Sequence, residues 1–395
     1  MKYLKQITIM FKKLFQLVLF LSICHNASAD LPNDTAGKVE TLPVPYPDDW
    51  VIVHDIAFDH MSIGRFMVMD INGGDIKDFF KGSFNGGFIS AFTQALKKPE
   101  MYVLEHYYDR GTRGNRTDVL TIYDKATLEP VDEIILDDPR LKRAEILVSK
   151  FVISLIDDER FLLFYSFTPG TFVTVIDLEK REVVNGVPLP TCAGIYPTGK
   201  RGFSSLCGNG SMVSFQLDED GQVTGQDKIE PFFDVDEDAL FERPAIIGGT
   251  GYFPSFHGDV QEIDLSGGAA RLGEKWSLLN EEDKSQGWRP GGAWLAATDS
   301  TGRLYVMMHE NGEEGSHDYP GSEIWVFDTA GKTRVNRIPL TLPAIAFDIT
   351  MGDAPKIVTT NIEMKLEVYD ARSGEHVDTI ADFYHNWPLL VYASQ

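Results

Sequence analysis

The chain of 395 residues is short of cysteine, with three, and short of positive charge, with 36 Lys and Arg against 59 Asp and Glu. The formal net charge of −23 excludes a sequence-independent grip on nucleic acid, which needs clustered cations. Long hydrophobic runs are missing too. The longest apolar stretch near the N-terminus, Leu14 to Cys24, is 11 residues, shorter than a bilayer-spanning helix requires, which favours a cleaved segment over a membrane anchor. Beyond residue 50 sustained helical periodicity is absent, which excludes a helical fold. The nine histidines contain no i, i+4 pair and have no flanking cysteines, so no metal site is expected. No Gly-x-Ser-x-Gly elbow occurs. Gly194 to Lys200 has the spacing of a phosphate loop, but Arg201 stands where the Mg²⁺-binding hydroxyl belongs. Asp234 to Asp238 opens like a calcium loop, but Ala239 and Ala245 replace the required Gly and Glu. The chain offers no catalytic apparatus of its own.

What is present begins with an export signal. Lys2, Lys5, Lys12 and Lys13 precede the apolar run, and Ala27-Ser28-Ala29 supplies small residues for cleavage after Ala29. Residues 1–29 are thus read as a signal peptide and the protein as periplasmic, and losing four lysines takes the charge to −27. Residues 30–48, with Pro32, Pro43, Pro45 and Pro47, read as an extended arm. Without Cys24 the exported chain keeps Cys192 and Cys207, and an even count in an oxidising compartment favours a disulfide between them.

From residue 49 onward one unit recurs: an alternating strand, usually ending in Asp, then a polar turn. Its copies are 66–70, 120–124, 173–177, 213–216, 260–264, 324–328 and 366–370. Seven copies at steps of 39 to 64 residues predict an all-β, seven-bladed β-propeller over 49–395. The unpartnered strand 387–393 is expected to complete the first blade and close the ring, which removes exposed edges.

Arg113 to Asp118, Cys192 to Gly210, Trp276 to Lys284, Gly287 to Gly292, and Glu314 to His317 running into Glu323 to Asp328 form a distinctive set of segments. Together they resemble the heavy (alpha) subunit of the tryptophan tryptophylquinone-dependent amine dehydrogenases, nearer the aromatic amine dehydrogenase branch than the methylamine dehydrogenase branch. The resemblance implies the same seven-bladed fold and no cofactor in this chain. It implies a periplasmic α2β2 assembly whose light (beta) subunit carries the tryptophan tryptophylquinone. That assembly oxidises primary amines to aldehyde and ammonia, aromatic amines ahead of methylamine, and passes electrons to a cupredoxin, azurin or amicyanin.

Phe84, with Asn85 and Gly86, resembles the family's aromatic at the mouth of the substrate channel; glycines around it favour an exposed gate. The loops bearing Arg113, Arg116, Trp288, Arg289, His317 and Tyr319 supply the residue types enriched at interfaces and are the candidate contacts to the light subunit. The alternative is a non-catalytic periplasmic binding propeller, since the ring itself is neutral about function. A free-standing quinoprotein dehydrogenase would show repeated Trp-bearing docking motifs, and these are absent.

Overall fold

Short runs of alternating β-branched and aromatic residues, each stopped by a polar turn, fold here into antiparallel sheets stacked around an axis. The computed structural model describes residues 41–58, 63–140, 142–143, 149–168 and 170–393. One compact unit runs from Thr41 to Gln395. The expected signal peptide, its cleavage site, Cys24 and arm residues 30–40 lie outside the described residues.

The first sheet has the order β29-β1-β2-β3, from β1 (Trp50–Ile56), β2 (Arg65–Asp70), β3 (Phe80–Asn85) and the C-terminal β29 (Trp387–Ala393). The second runs β4 (Ala91–Gln94), β5 (Glu100–Tyr108), β6 (Arg116–Asp124), β7 (Pro130–Ile135). In the third, β8 (Lys142–Arg143) and β9 (Ile153–Ile156) both pair with β10 (Phe161–Thr168), followed by β11 (Phe172–Asp177) and β12 (Glu182–Pro188). The fourth is β13 (Cys192–Pro197), β14 (Gly202–Cys207), β15 (Met212–Leu217), β16 (Val223–Ile229). The fifth is β17 (Ala245–Ile247), β18 (Thr250–Pro254), β19 (Asp259–Asp264), β20 (Arg271–Ser277). The last sheet has eight strands: β21 (Arg289–Pro290) and β22 (Ala296–Thr298) on β23 (Arg303–His309), then β24 (Gly321–Asp328), β25 (Thr333–Ile349), β26 (Lys356–Asn361), β27 (Leu366–Asp370) and β28 (His376–Ile380).

The all-β propeller is as expected, but the blade count is corrected. Among the described residues five blades are separate sheets, and the rest of the ring is one continuous eight-stranded sheet. The reason is β25, which runs 17 residues without a break. Its first half, to Pro339, pairs with β24, and Ala344 to Ile349 pair with β26, so backbone hydrogen bonding passes straight through.

Each repeat read from the sequence is the same strand of its unit. β2, β6, β11, β15, β19, β24 and β27 all stand third from the axis. Their terminal aspartates recur for a local reason. Asp124 Oδ1 accepts the N–H groups of Ala126 and Thr127, Asp177 those of Glu179 and Lys180, and Asp370 those of Arg372 and Ser373. A carboxylate accepting several N–H bonds satisfies a turn's orphan donors. Hydrogen bonds from Ser373 hold the Asp370 carboxyl below its ordinary value, and those from Ser266 do the same for Asp264.

The core lies between blades. Val51, Val53 and Met67 of the first sheet pack on Val358, Leu366 and Val368 of the last. Tyr196, Leu206 and Met212 of the fourth pack on Phe253 and Ile263 of the fifth. Because a blade is covered on both sides, its central strands are buried on both faces, as the uniform burial of β1 shows. Part of the arm joins this packing: Tyr46 is buried, and its hydroxyl donates to the Lys125 carbonyl at 2.7 Å.

Cys192 and Cys207 sit directly opposite each other on β13 and β14 and form a disulfide, with Cα atoms 3.8 Å apart. The bridge closes a loop of sequence separation 15. Replacing both cysteines by serine is expected to lower stability by about 3 kcal/mol, read from urea unfolding midpoints at constant m-value. Asp264 and Asp370 set an acid limit. Their folded pKa values lie below the unfolded ones, so their contribution is present above about pH 4 and is lost as pH falls through the folded values. Acid titration of Asp370→Asn should show a shallower loss below about pH 4 than the parent chain.

Candidate functional site

Antiparallel succession sends alternate connections to opposite faces of the ring. One, the turn face, carries the Asp-headed turns such as 125–129, 178–181 and 371–375. The other, the loop face, carries 57–64, 86–90, 109–115, 208–211, 255–258, 278–288 and 310–320. All the candidate site residues fall on or beside this loop face, as does the Cys192–Cys207 bridge. Exposed apolar side chains gather there too: Phe58, Ile63, Tyr107, Phe167, Tyr319, Ile362 and Trp387.

Arg289 and His317 meet on Phe256, a residue that sequence reasoning missed, and Tyr319 joins the cluster through Glu313 and His309. The Arg289 guanidinium lies 4.5 Å over the Phe256 ring and donates to the Glu313 carbonyl at 3.2 Å. The His317 ring meets the other side of this cluster edge-on to Phe256, 6.3 Å between centroids. Its Nε2 is 3.3 Å from Asp318, whose carboxylate also faces Arg243 at 3.5 Å. Tyr319 is 46% exposed, and its hydroxyl donates to Glu313 at 3.1 Å, which raises the phenol pKa. Below them His309 is buried, and burial holds its imidazole below the ordinary value. The 310–320 excursion is therefore pinned by hydrogen bonds and stacking, with Tyr319 and His317 presented outward. Phe256 sits in the four-residue turn 255–258 with no composition signal; only the packing of the fifth sheet on the sixth places it here.

Arg113 and Arg116 lie on another blade. Arg113 is exposed in the turn after β5, and Arg116 opens β6, with Nε 3.0 Å from the buried Asp118 carboxylate. They share the face with the Phe256 cluster but belong to a separate patch.

Two expectations are corrected. Phe84 is not an exposed gate: it is 5% accessible in β3, stacked 5.2 Å from Phe66 and 4.8 Å from Tyr123. The glycine beside it serves close packing, since a Cβ on Gly86 would lie 2.6 Å from the Phe66 ring. Asn85 is the exposed member of the trio. Trp288 is likewise no surface contact. It is 2% accessible, 5.1 Å from Trp325, with the Arg337 guanidinium 4.7 Å over each ring. Trp325 donates its indole N–H to Glu323 at 2.6 Å, and Arg337 pairs with the same carboxylate. Two neighbouring tryptophans invite comparison with a tryptophan-derived quinone. This pair does not fit one, because both rings are sealed in the core where no amine could reach them.

Around the axis, β29, β4, β9, β13, β17, β22 and the second half of β25 line a cavity of about 680 Å³. It reaches the turn face near Lys97, Asp158, Lys200 and Met351. Sequence reading gave no sign of it, since its members are scattered from Phe92 to Ala393.

Phe84→Ala and Trp288→Ala are each expected to cost about 3–5 kcal/mol by leaving cavities in packed cores. Tyr319→Ala should stay within about 0.5 kcal/mol of the parent. Urea denaturation of the three variants separates core from surface, and an unchanged midpoint for Phe84→Ala contradicts its burial.

Comparison with known proteins extends these observations. The family model for the methylamine dehydrogenase heavy chain matches residues 50–393, nearly the whole propeller. The methylamine dehydrogenase heavy chain of Methylorubrum extorquens is 26% identical over 361 residues, 90% of this chain and 85% of the relative. That of Paracoccus versutus is 25% identical over 351 residues, covering 87% and 80%. Among solved structures, a dihydro-heme d1 dehydrogenase, NirN, superposes with a TM-score of 0.52 at 14% identity over 92% of this chain and 78% of its own. A putative 6-phosphogluconolactonase of Bacteroides fragilis does so at 0.55 and 10% identity, over 87% and 98%. These two share the fold alone. The heavy-chain match over 50–393 establishes that the chain belongs to the methylamine dehydrogenase heavy chain family.

Proposed function

We propose that this protein is the heavy subunit of a periplasmic amine dehydrogenase, scaffolding a light subunit that carries tryptophan tryptophylquinone. The heavy-chain family match across the whole propeller carries this reading. The quinone, when bound in the partner, supplies the oxidation of the amine; this chain's residues bind and position. His317 and Arg289 on Phe256, with Tyr319 beside them on Glu313, offer a pinned, half-apolar contact, and exposed Phe58 and Phe167 extend the apolar surface of the same face. Aromatic rings and Arg are the side chains that anchor obligate interfaces.

In this reading the assembly is α2β2, prefers aromatic amines to methylamine and delivers electrons to a cupredoxin, azurin or amicyanin. Asn85 faces the substrate path, with Phe84 setting its position from behind through the Phe66 and Tyr123 stack. We also count the ring as seven units. Seven inner strands or strand halves line the axial cavity, and the seven repeats stand third in each, so the eight-stranded sheet acts as two blades fused through β25.

The test is expression of residues 30–395 alone and together with the light subunit and its maturation factors. Dye-linked oxidation should be absent for the isolated chain and present for the co-purified pair, with kcat/KM highest for phenylethylamine and tyramine. Turnover by the isolated chain, or failure of the two to co-purify, removes the subunit reading in favour of the binding propeller. Faster oxidation of methylamine removes only the aromatic preference.

A further inference from the structure

The axial cavity has no role in the reading above, and it contains an unusual side chain. Lys150 stands just before β9 and sends its ammonium into the channel, where 15% of the side chain stays accessible. Nζ donates to Asp348 Oδ2 at 2.7 Å and lies 5.0 Å from the Trp294 ring centre and 4.9 Å from that of Tyr392. The same Asp348 oxygen accepts the N–H of Ala393 at 3.0 Å. The pair is thus built from segments of the chain 198 and 45 residues apart, and ring closure alone assembles it. Desolvation pulls the lysine below its ordinary pKa, against the opposing pull of Asp348.

An ammonium has three N–H donors, and the carboxylate takes one. The aromatic rings satisfy charge but offer no lone pair, so a donor remains for an oxygen acceptor from the channel. The charge balance decides which acceptor. An anion entering here meets Asp348, and a cation meets Lys150, and each is opposed by its like charge. A neutral carbonyl meets neither penalty. The walls supply the rest of the recognition: Phe151, Leu155, Ile246 and Met351 are apolar and only partly buried, and the volume falls in the range of ordinary small-molecule sites.

We propose that the axial channel binds neutral carbonyl compounds with an aromatic or apolar body, the carbonyl oxygen accepting a hydrogen bond from Lys150 Nζ. The ligand enters from the turn face past Met351 and packs its body against Phe151 and Tyr392. Aldehydes belong to this class, but the site does not rest on the amine dehydrogenase reading, and no redox partner is needed to occupy it.

Phenylacetamide, phenylacetate and phenylethylamine are matched probes that are neutral, anionic and cationic. Titrated calorimetrically into purified residues 30–395 at pH 7, phenylacetamide should bind saturably and at least about tenfold more tightly than the other two. Lys150→Met should weaken it by about tenfold, the scale of one lost hydrogen bond to a charged donor. Met351→Trp leaves Lys150 in place and narrows the mouth, so it should reduce binding even if Lys150→Met does not fold. No saturable binding by the parent chain, a preference for phenylacetate or phenylethylamine, or unchanged affinity in both variants overturns the proposal. Because the light subunit is absent, none of these outcomes bears on amine oxidation.

Discussion

The two ends of the propeller meet in one antiparallel pairing, β29 on β1, from Val51 opposite Ala393 to Ile56 opposite Trp387. Two open edges, each with a row of unsatisfied N–H and C=O groups, vanish in that step. The joint is reinforced where it bulges between His54 and Asp55. There the buried Asp55 carboxylate accepts the N–H groups of His385 and Asn386 at 2.9 Å and faces Arg65 at 3.2 Å. A buried carboxylate with three partners is tolerable where an unpaired one would not be. Across this joint the first and last sheets bury their apolar faces against each other.

Closure divides the surface into two unlike faces. The turn face is governed by local chemistry: an aspartate at a strand end collects the N–H groups of the next residues, and little length is left over for anything else. The loop face has long connections, and there the exposed aromatic side chains collect. Long-range ion pairs and stacking, such as Arg289 on Phe256 and Arg243 beside Asp318, stiffen that face so that Tyr319 and His317 are held outward rather than left to wander.

The same closure makes the axis a chemical environment instead of a void. Lys150 and Asp348 are drawn out of bulk water together, and Trp294 and Tyr392 offer the ammonium their faces in place of hydration. None of the four is remarkable in its own segment; the site exists only where the inner strands converge.

Strand alternation, the recurring Asp and the even cysteine count determined a great deal without coordinates: an all-β propeller, its recurring Asp-ended strand and the Cys192–Cys207 bridge. These are local or periodic properties, and a period of two with a turn signal is written directly in the order of residues. Tertiary structure alone decided the rest. Glycines around Phe84 read as signs of exposure, yet at Gly86 the Phe66 ring leaves no room for a Cβ, and Phe84 is core. Trp288 reads as an interface anchor, yet it fills a stack with Trp325 beneath Arg337. The unbroken β25 and the channel pair of Lys150 with Asp348 depend on which distant strands become neighbours. Burial and partnership are set by contacts across hundreds of residues, and a one-dimensional pattern carries a side chain's character but not the company it keeps.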